Sequence, residues 1–181
     1  IMMSLLAGLY IALGSILMGI VGGVFTGGGS YATKLACGIV FSVGLCFVTM
    51  GGAELFTGNN LVMTIGGLKK TVTWGQVAKL WIVCWLGNLV GSVIAAVIFT
   101  MTGIPGSGDI GAFFANTAAA KMGGSAANLF SKAILCNICV CVAIWCGTKL
   151  KSEGAKIAMN FCCVTTFVTC GFEHSIANMT F

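Results

Sequence analysis

Apolar residues in this chain gather in five long blocks separated by short polar connections. The blocks cover about residues 2–25, 35–67, 77–102, 125–147 and 157–181, and polar residues interrupt the second and the fifth. A helix needs about 20 mostly apolar residues to cross the hydrocarbon core of a bilayer. The pattern therefore predicts an all-α integral membrane protein in which two of the transmembrane helices are broken.

The composition agrees with a membrane setting. Of the 181 residues, 58% are hydrophobic and only 7% are charged, whereas soluble domains carry roughly 25% charged residues. The lipid membrane is therefore the expected surroundings, and no nucleic-acid partner is expected. The first block is rich in glycine and lacks a preceding basic stretch, which argues against a cleavable signal peptide.

The distribution of lysine predicts the topology. Three lysines lie around the loop "GLKKTVTWGQ" and three around the loop "TKLKSEGAK", whereas the other connections carry few. Short loops rich in lysine or arginine remain on the cytoplasmic side of a membrane. These two loops and the N-terminus are therefore predicted to be cytoplasmic, and residues 103–124 are predicted to form an external loop.

The two interruptions share a pattern at an offset of 119 residues. Gly52, Glu54 and Asn59 in the first break match Gly171, Glu173 and Asn178 in the second. Similarity at corresponding points of two halves indicates an internal repeat. Under the predicted topology the two broken segments cross the membrane in opposite directions, so the repeats are predicted to be inverted.

A repeat of three plus three segments requires a sixth apolar block after Phe181. Residues 1–181 are therefore interpreted as one transmembrane channel domain that is partial, with a sixth helix and the cytoplasmic termini expected outside the given sequence.

Polar residues at mid-membrane depth indicate a functional site. Irregular backbone is tolerated there only where protein or a water-filled cavity covers it. The ends of broken helices offer free N–H groups to anions, and ionisable side chains such as Glu54, Glu173 and His174 are costly in a membrane and mark function. Asn59 and Asn178 are expected to cap the half-helices. Two such breaks that meet near the midplane predict an anion path.

Ten cysteines raise the question of a metal or redox site. Cys136, Cys139 and Cys141 follow a C-x-x-C-x-C spacing, but no histidine or acid accompanies them in their apolar block. Free cysteine packs as a small hydrophobic residue. No metal site, no disulfide framework and no cofactor are therefore predicted, and a redox or metal-binding membrane subunit stays as a remote alternative.

Three stretches carry a resemblance to a known family. "GAELFTGN" in the first break, "WLGNLVGS" in the third block and "GFEHSIANM" in the second break together resemble the formate/nitrite transporter family. The resemblance implies an aquaporin-like fold and a homopentamer in the cytoplasmic (inner) membrane of a prokaryote. It also implies passage of small monovalent anions such as formate, nitrite or hydrosulfide, or of their acids, and no enzymatic activity.

The resemblance also implies roles for individual residues. His174 looks like the family's central pore histidine, and Thr57 looks like the threonine that faces it. Asn137 looks like an asparagine near the same point on the fourth helix, and Lys121 looks like a lysine on the outer side of that helix. The residues expected to narrow the pore are Leu55, Phe56, Phe167, Phe41 and Leu45. The residues expected to brace the two breaks are Glu54, Asn59, Glu173 and Asn178.

Two mechanisms and two kinds of transport remain open from the sequence. An unperturbed histidine has a pKa near ~6.5 and changes charge in the physiological range. His174 could therefore pass a proton to the anion, directly or through water, or it could stabilise the anion as the anion passes. A proton-coupled secondary transporter would use the same residues as a passive channel, and protons are a partner in either case.

Overall fold

The computed structural model describes residues 1–181, and helices make up most of it. The α-helices are α1 (Met2–Gly27), α2 (Thr33–Met50), α3 (Phe56–Leu68), α4 (Trp74–Met101), α5 (Gly108–Met122), α6 (Ala126–Lys149) and α7 (Glu153–Thr169). Two short 3-10 helices lie at Ile104–Gly106 and Ala177–Thr180. Helices α1, α2, α4 and α6 are long and apolar enough to cross a membrane.

The two predicted helix breaks are present. The second apolar block forms α2 and α3, with residues 51–55 between them, and the fifth forms α7 and the 3-10 helix that follows it. Gly52 and Gly171 adopt φ angles of 71° and 73°, a left-handed conformation that glycine alone reaches without strain. The chain can therefore leave the helix at both points within one residue.

The two breaks share a backbone hydrogen bond at equivalent positions. In the first, Ala53 N donates to Val48 O at 3.0 Å, and in the second Phe172 N donates to Phe167 O at 2.9 Å. The predicted offset of 119 residues relates these donors and acceptors. The internal repeat predicted from three residue types is therefore a repeat of backbone geometry.

The helices α2 and α7 cross at matching positions of the two repeats. Ser42 Oγ on α2 donates to the carbonyl oxygen of Phe161 on α7 at 3.5 Å, and these residues are also 119 positions apart. The crossing places the two breaks around a shared core that includes Phe41, Leu45 and Phe167.

The prediction that residues 103–124 form a loop is wrong. This segment contains the 3-10 helix Ile104–Gly106 and the helix α5, which packs on α1. Phe113 and Phe114 of α5 lie directly against Gly22 and Gly19 of α1. Because glycine has no side chain, the two rings fit directly against α1. The hydropathy of residues 103–124 does not reveal this tertiary contact.

Candidate functional site

His174 lies at the centre of the molecule, where the two breaks meet. It is 4% exposed, and its Nε2 lies 3.2 Å from Oγ1 of Thr57, which is also 4% exposed. The resemblance had implied that these two side chains face each other. The geometry brings them together because Thr57 is the second residue of α3, at the first break, and His174 belongs to the second break.

The hydrogen bonds of His174 assign its tautomer. Nδ1 accepts a hydrogen bond from the backbone N–H of Ala177 at 3.1 Å. A neutral imidazole carries its single proton on one nitrogen, so the acceptor Nδ1 leaves the proton on Nε2. Nε2–H therefore points to the oxygen of Thr57, and a second proton could bind Nδ1 only if the bond from Ala177 were broken.

Two aromatic rings cover one side of the imidazole. The Phe167 ring is stacked on it with a centroid distance of 5.7 Å, and the Phe41 ring meets it edge-on at 6.4 Å. Phe41 and Phe167 also meet edge to face at 6.1 Å. Both phenylalanines are 2% exposed, so they form an apolar closure next to the histidine.

Two cavities lie near this region, and each is named after one lysine that lines it. The Lys121 cavity, of about 240 Å³, is lined by Lys34, Phe41, Lys121, Phe167, Glu173 and His174, among others. The Lys156 cavity, of about 550 Å³, is lined by Val48, Glu54, Leu55, Glu153, Lys156 and Asn160, among others.

The cavities lie at opposite ends of the crossed helices. α2 begins beside the Lys121 cavity at Thr33 and ends beside the Lys156 cavity at Met50. α7 runs the other way, from Glu153 at the Lys156 cavity to Val168 at the Lys121 cavity. The two repeats are therefore inverted, as the sequence predicted, and the two cavities, which we call the two mouths, lie at equivalent positions of the repeats.

A third cavity of about 650 Å³, the α6 cavity, opens to the surface on the α6 side of the histidine, and Phe56, Thr57, Asn137 and His174 line it. Asn137 Oδ1 is buried and has no hydrogen-bond partner, while Asn137 Nδ2 lies 3.6 Å from Cys141 Sγ. The structure thus places Asn137 with Thr57 and His174, as expected. Leu45 lies in the core, and Leu55 lines the Lys156 cavity.

Lys121 lies elsewhere than expected. It is in the last turn of α5 rather than on the fourth membrane-spanning helix. Its Nζ donates to Glu173 Oε2 and to Asn178 Oδ1, each at 2.7 Å, and this is the one ion pair in the structure. The side chains of Lys121 and Glu173 are only 22% and 13% exposed, so the lysine ties α5 to the second break as well as bordering the cavity.

The expected bracing residues pair within each break. Asn59 Nδ2 donates to Glu54 Oε2 at 2.7 Å, and Asn178 Nδ2 donates to Glu173 Oε2 at 3.0 Å. The prediction that the asparagines cap the half-helices is wrong. Asn59 lies inside α3, whose N-cap residue Leu55 makes no side-chain cap, because the amide reaches back to the carboxylate.

Sequence reasoning missed the residue that caps α3. Asn88, which is fully buried on α4, accepts a hydrogen bond from Phe56 N at 2.9 Å. Its Nδ2 donates to the carbonyl oxygens of Ser4 at 2.6 Å and Glu54 at 3.0 Å. The signal was available, since Asn88 is the one amide in the apolar run between Gly87 and Gly91.

The expectation of free helix-end N–H groups along an anion path is only partly met. The N–H of Phe56 is bound by Asn88, and the N–H of Ala177 is bound by His174. Side chains therefore occupy the leading donor of each half-helix.

All ten cysteines are free thiols, and no three His, Cys, Asp or Glu side chains converge as metal ligands.

Comparison with known proteins gives the family. The family model described as formate/nitrite transporter matches residues 1–181. The chain belongs to the formate/nitrite transporter family. Its fold is the all-helical fold of that family: a solved structure described as an FNT family ion channel matches 98% of this chain and 70% of that one, with 36% identity and a TM-score of 0.90.

Two further members are similar to the chain. The nitrite transporter NirC of Salmonella typhimurium (strain LT2) is 37% identical over 181 residues, covering 98% of this chain. The chain spans 64% of the length of that relative. The structure described as a pentameric formate channel with formate bound has a TM-score of 0.85 and 29% identity, and the match covers 98% of this chain and 70% of that one.

Proposed function

We propose that this protein is a channel for small monovalent anions such as formate, nitrite or hydrosulfide. The observation that carries the proposal is the Thr57–His174 pair, which lies between two inverted mouths and beside apolar closures. Family membership supports the substrate class, since relatives are described as a nitrite transporter and a formate channel. The proposal includes no catalytic step and no cofactor.

The proposed path runs from the Lys121 cavity past Phe41 and Phe167 to His174, and then past Leu55 to the Lys156 cavity. Buried apolar side chains exclude hydrated ions, because a hydrated anion would lose its water without replacement there. Nε2–H of His174 and the hydroxyl of Thr57 are the polar groups offered to a dehydrated anion between these closures.

Of the two mechanisms, the hydrogen bonds favour anion stabilisation by a neutral histidine. Nδ1 is occupied by the N–H of Ala177, so protonation of the ring would cost this buried bond. The proposed role of His174 is to donate Nε2–H to the anion as Thr57 gives way. In the alternative mechanism the anion takes a proton from water, or from His174 in its protonated form, and crosses as the neutral acid. A proton-coupled transporter of the same anions is the alternative function.

The other proposed site residues have supporting roles. Asn137 is a further polar group at the α6 cavity, and Phe56 and Leu45 contribute to the apolar lining near the histidine. Glu54, Asn59, Glu173 and Asn178 hold the two breaks in shape. Residues 1–181 are proposed to be part of one channel domain that a sixth helix would complete.

Assembly and orientation are also part of the proposal. A homopentamer with one pore in each protomer is supported by the pentameric formate channel that shares the fold. Bacterial relatives such as the nitrite transporter of Salmonella typhimurium support a position in the cytoplasmic (inner) membrane of a prokaryote, and the lysine-rich loops favour an N-terminus in the cytoplasm. A reporter enzyme that works only in the cytoplasm should be active when it is fused near Lys70. Activity at the same position of a reporter that works only outside the cytoplasm would overturn this orientation.

Flux measurements in proteoliposomes test the proposed function. Stopped-flow uptake of formate, nitrite, hydrosulfide, lactate and chloride would be measured between pH ~5 and 8, the range in which histidine titrates. We expect rapid uptake of at least one small anion. Uptake through a passive channel should stop when the concentrations of that anion inside and outside the liposome are equal. Accumulation driven by an imposed pH difference would instead establish the transporter, and no uptake of any of them above empty liposomes would refute both.

A further inference from the structure

The internal repeat places different residue types on the two sides of the histidine. Phe41 meets the ring of His174 edge-on and lines the Lys121 cavity. The offset of 119 residues relates Phe41 to Asn160, which lines the Lys156 cavity. No aromatic side chain lines that cavity. An amide therefore takes the place of an aromatic ring at equivalent positions of the two repeats.

One hydrogen bond fixes the orientation of the Asn160 amide. Asn160 lies on α7 and is only 3% exposed. Its Nδ2 donates to Thr49 Oγ1 on α2 at 2.8 Å. The hydroxyl of Thr49 donates its own proton to the carbonyl oxygen of Leu45 at 3.0 Å, so Thr49 can only accept from the amide. The nitrogen of the amide therefore faces Thr49.

The remaining hydrogen-bonding groups of Asn160 have no good partner. A side-chain amide has two N–H donors and a carbonyl acceptor. The second N–H has only Cys46 Sγ in range, at the long distance of 4.0 Å, and Oδ1 accepts no hydrogen bond. Buried polar groups are nearly always paired. A side chain this buried, with unpaired polar groups beside a cavity, therefore indicates a ligand that hydrogen-bonds to it.

We propose that Asn160 is a second hydrogen-bonding site for the anion, in the Lys156 cavity, in addition to the Thr57–His174 pair. The inference rests on the proposed anion-channel function. Removing water from an anion is costly unless other donors replace that water, and the second N–H of Asn160 is such a donor. The equivalent Phe41 offers none. The role of Asn160 needs no net charge, so it does not depend on the charged residues around either cavity.

Three variants test the amide by flux measurements in proteoliposomes, with an anion that wild type conducts. N160L and N160M lack the N–H groups and should lower the flux about threefold to tenfold, because a hydrogen bond to a charged ligand is lost. N160Q matches N160M in length but keeps an amide, and should retain at least about half of the wild-type flux. None of these changes alters a charge, so the differences should persist from ~10 mM to ~1 M ionic strength.

T49V is the structural control. It breaks the same hydrogen bond between α2 and α7 from the other side, but it leaves both N–H groups of Asn160 in place. T49V should therefore lower the flux less than N160M does. Thermal unfolding in detergent compares the stability of the variants, and N160M, whose flexible side chain fills irregular space, serves as the amide-free variant if N160L is unstable.

The outcomes separate this inference from the proposed function. Wild type that passes no anion faster than empty liposomes would refute the channel and the role of Asn160 with it. Wild type that conducts while N160L and N160M equal it would refute the role of Asn160 alone. Flux in N160Q as low as in N160M would show that the amide is not the group that matters. Equal losses in T49V and N160M would make Asn160 a structural link between the two helices and also refute the inference.

Discussion

Thr57 Oγ1 and His174 Nε2 lie 3.2 Å apart in the buried centre of the fold, although 117 residues separate them in the chain. Each belongs to one of the two helix breaks, so the contact exists only when both repeats are folded around each other. The pair is the single point at which a side-chain hydrogen bond joins the two breaks.

Replacing His174 tests whether its charge changes during transport. H174N keeps an acceptor for Ala177 N–H and a donor for the anion, so we expect measurable flux with the pH profile of wild type between pH ~5 and 8. H174F keeps the ring but removes both polar atoms and should lower anion flux by at least about tenfold. A pH step that is present in wild type and absent in H174N would show that His174 itself gains and loses a proton.

Thr57 should matter through its hydroxyl group. T57V preserves the shape of the side chain but leaves Nε2–H of His174 without its buried partner, which costs about 1–3 kcal/mol. We expect T57V to change the selectivity among formate, nitrite and chloride in stopped-flow flux, while T57S retains that of wild type. Equal selectivity in T57V and wild type would remove Thr57 from the pathway.

Asn88 should be essential for stability. N88L removes the three hydrogen bonds that this buried side chain makes to Ser4, Glu54 and Phe56, and the groups left unpaired should lower the free energy of unfolding by at least about 2 kcal/mol. Thermal unfolding in detergent measures the loss. N128A, at an exposed asparagine near the start of α6, is the control and should unfold like wild type.

Gly52 and Gly171 should resist substitution for a conformational reason alone. A Cβ atom at either position would meet no atom within 4 Å, but both residues have positive φ angles. G52A and G171A should each lower stability by about 1–2 kcal/mol. G147A lies in the ordinary helix α6 with equally open surroundings, and a matching loss in G147A would show that conformation is not the cause.

The ion pair of Lys121 and Glu173 should behave as a unit. Because both side chains are only partly exposed, K121M leaves a carboxylate without its cation, and we expect a loss of about 1–3 kcal/mol. The double variant K121M/E173Q should recover part of this loss in thermal unfolding. Additive losses in the double variant would mean that the two charges do not depend on each other.

The sequence determined the parts of this protein that follow from chemistry along the chain. Apolar blocks of membrane length predicted the spanning helices, and Gly52 and Gly171 marked the breaks because glycine adopts a left-handed conformation without strain. The spacing of 119 residues predicted the inverted repeat, since equivalent residues need equivalent backbones. The pattern of "GFEHSIANM" singled out His174 because an imidazole is costly in a membrane.

Tertiary structure alone decided which groups meet. The sequence did not reveal that residues 108–122 form a helix. That helix is held by the rings of Phe113 and Phe114, which pack on glycines of the distant helix α1. The sequence did not reveal that Asn88 caps α3 or that Lys121 pairs with Glu173, because these partners lie 32 and 52 residues apart. Local patterns fix where a helix begins and breaks, whereas the partner of a buried polar group is chosen by whichever distant segment the fold brings within hydrogen-bond distance.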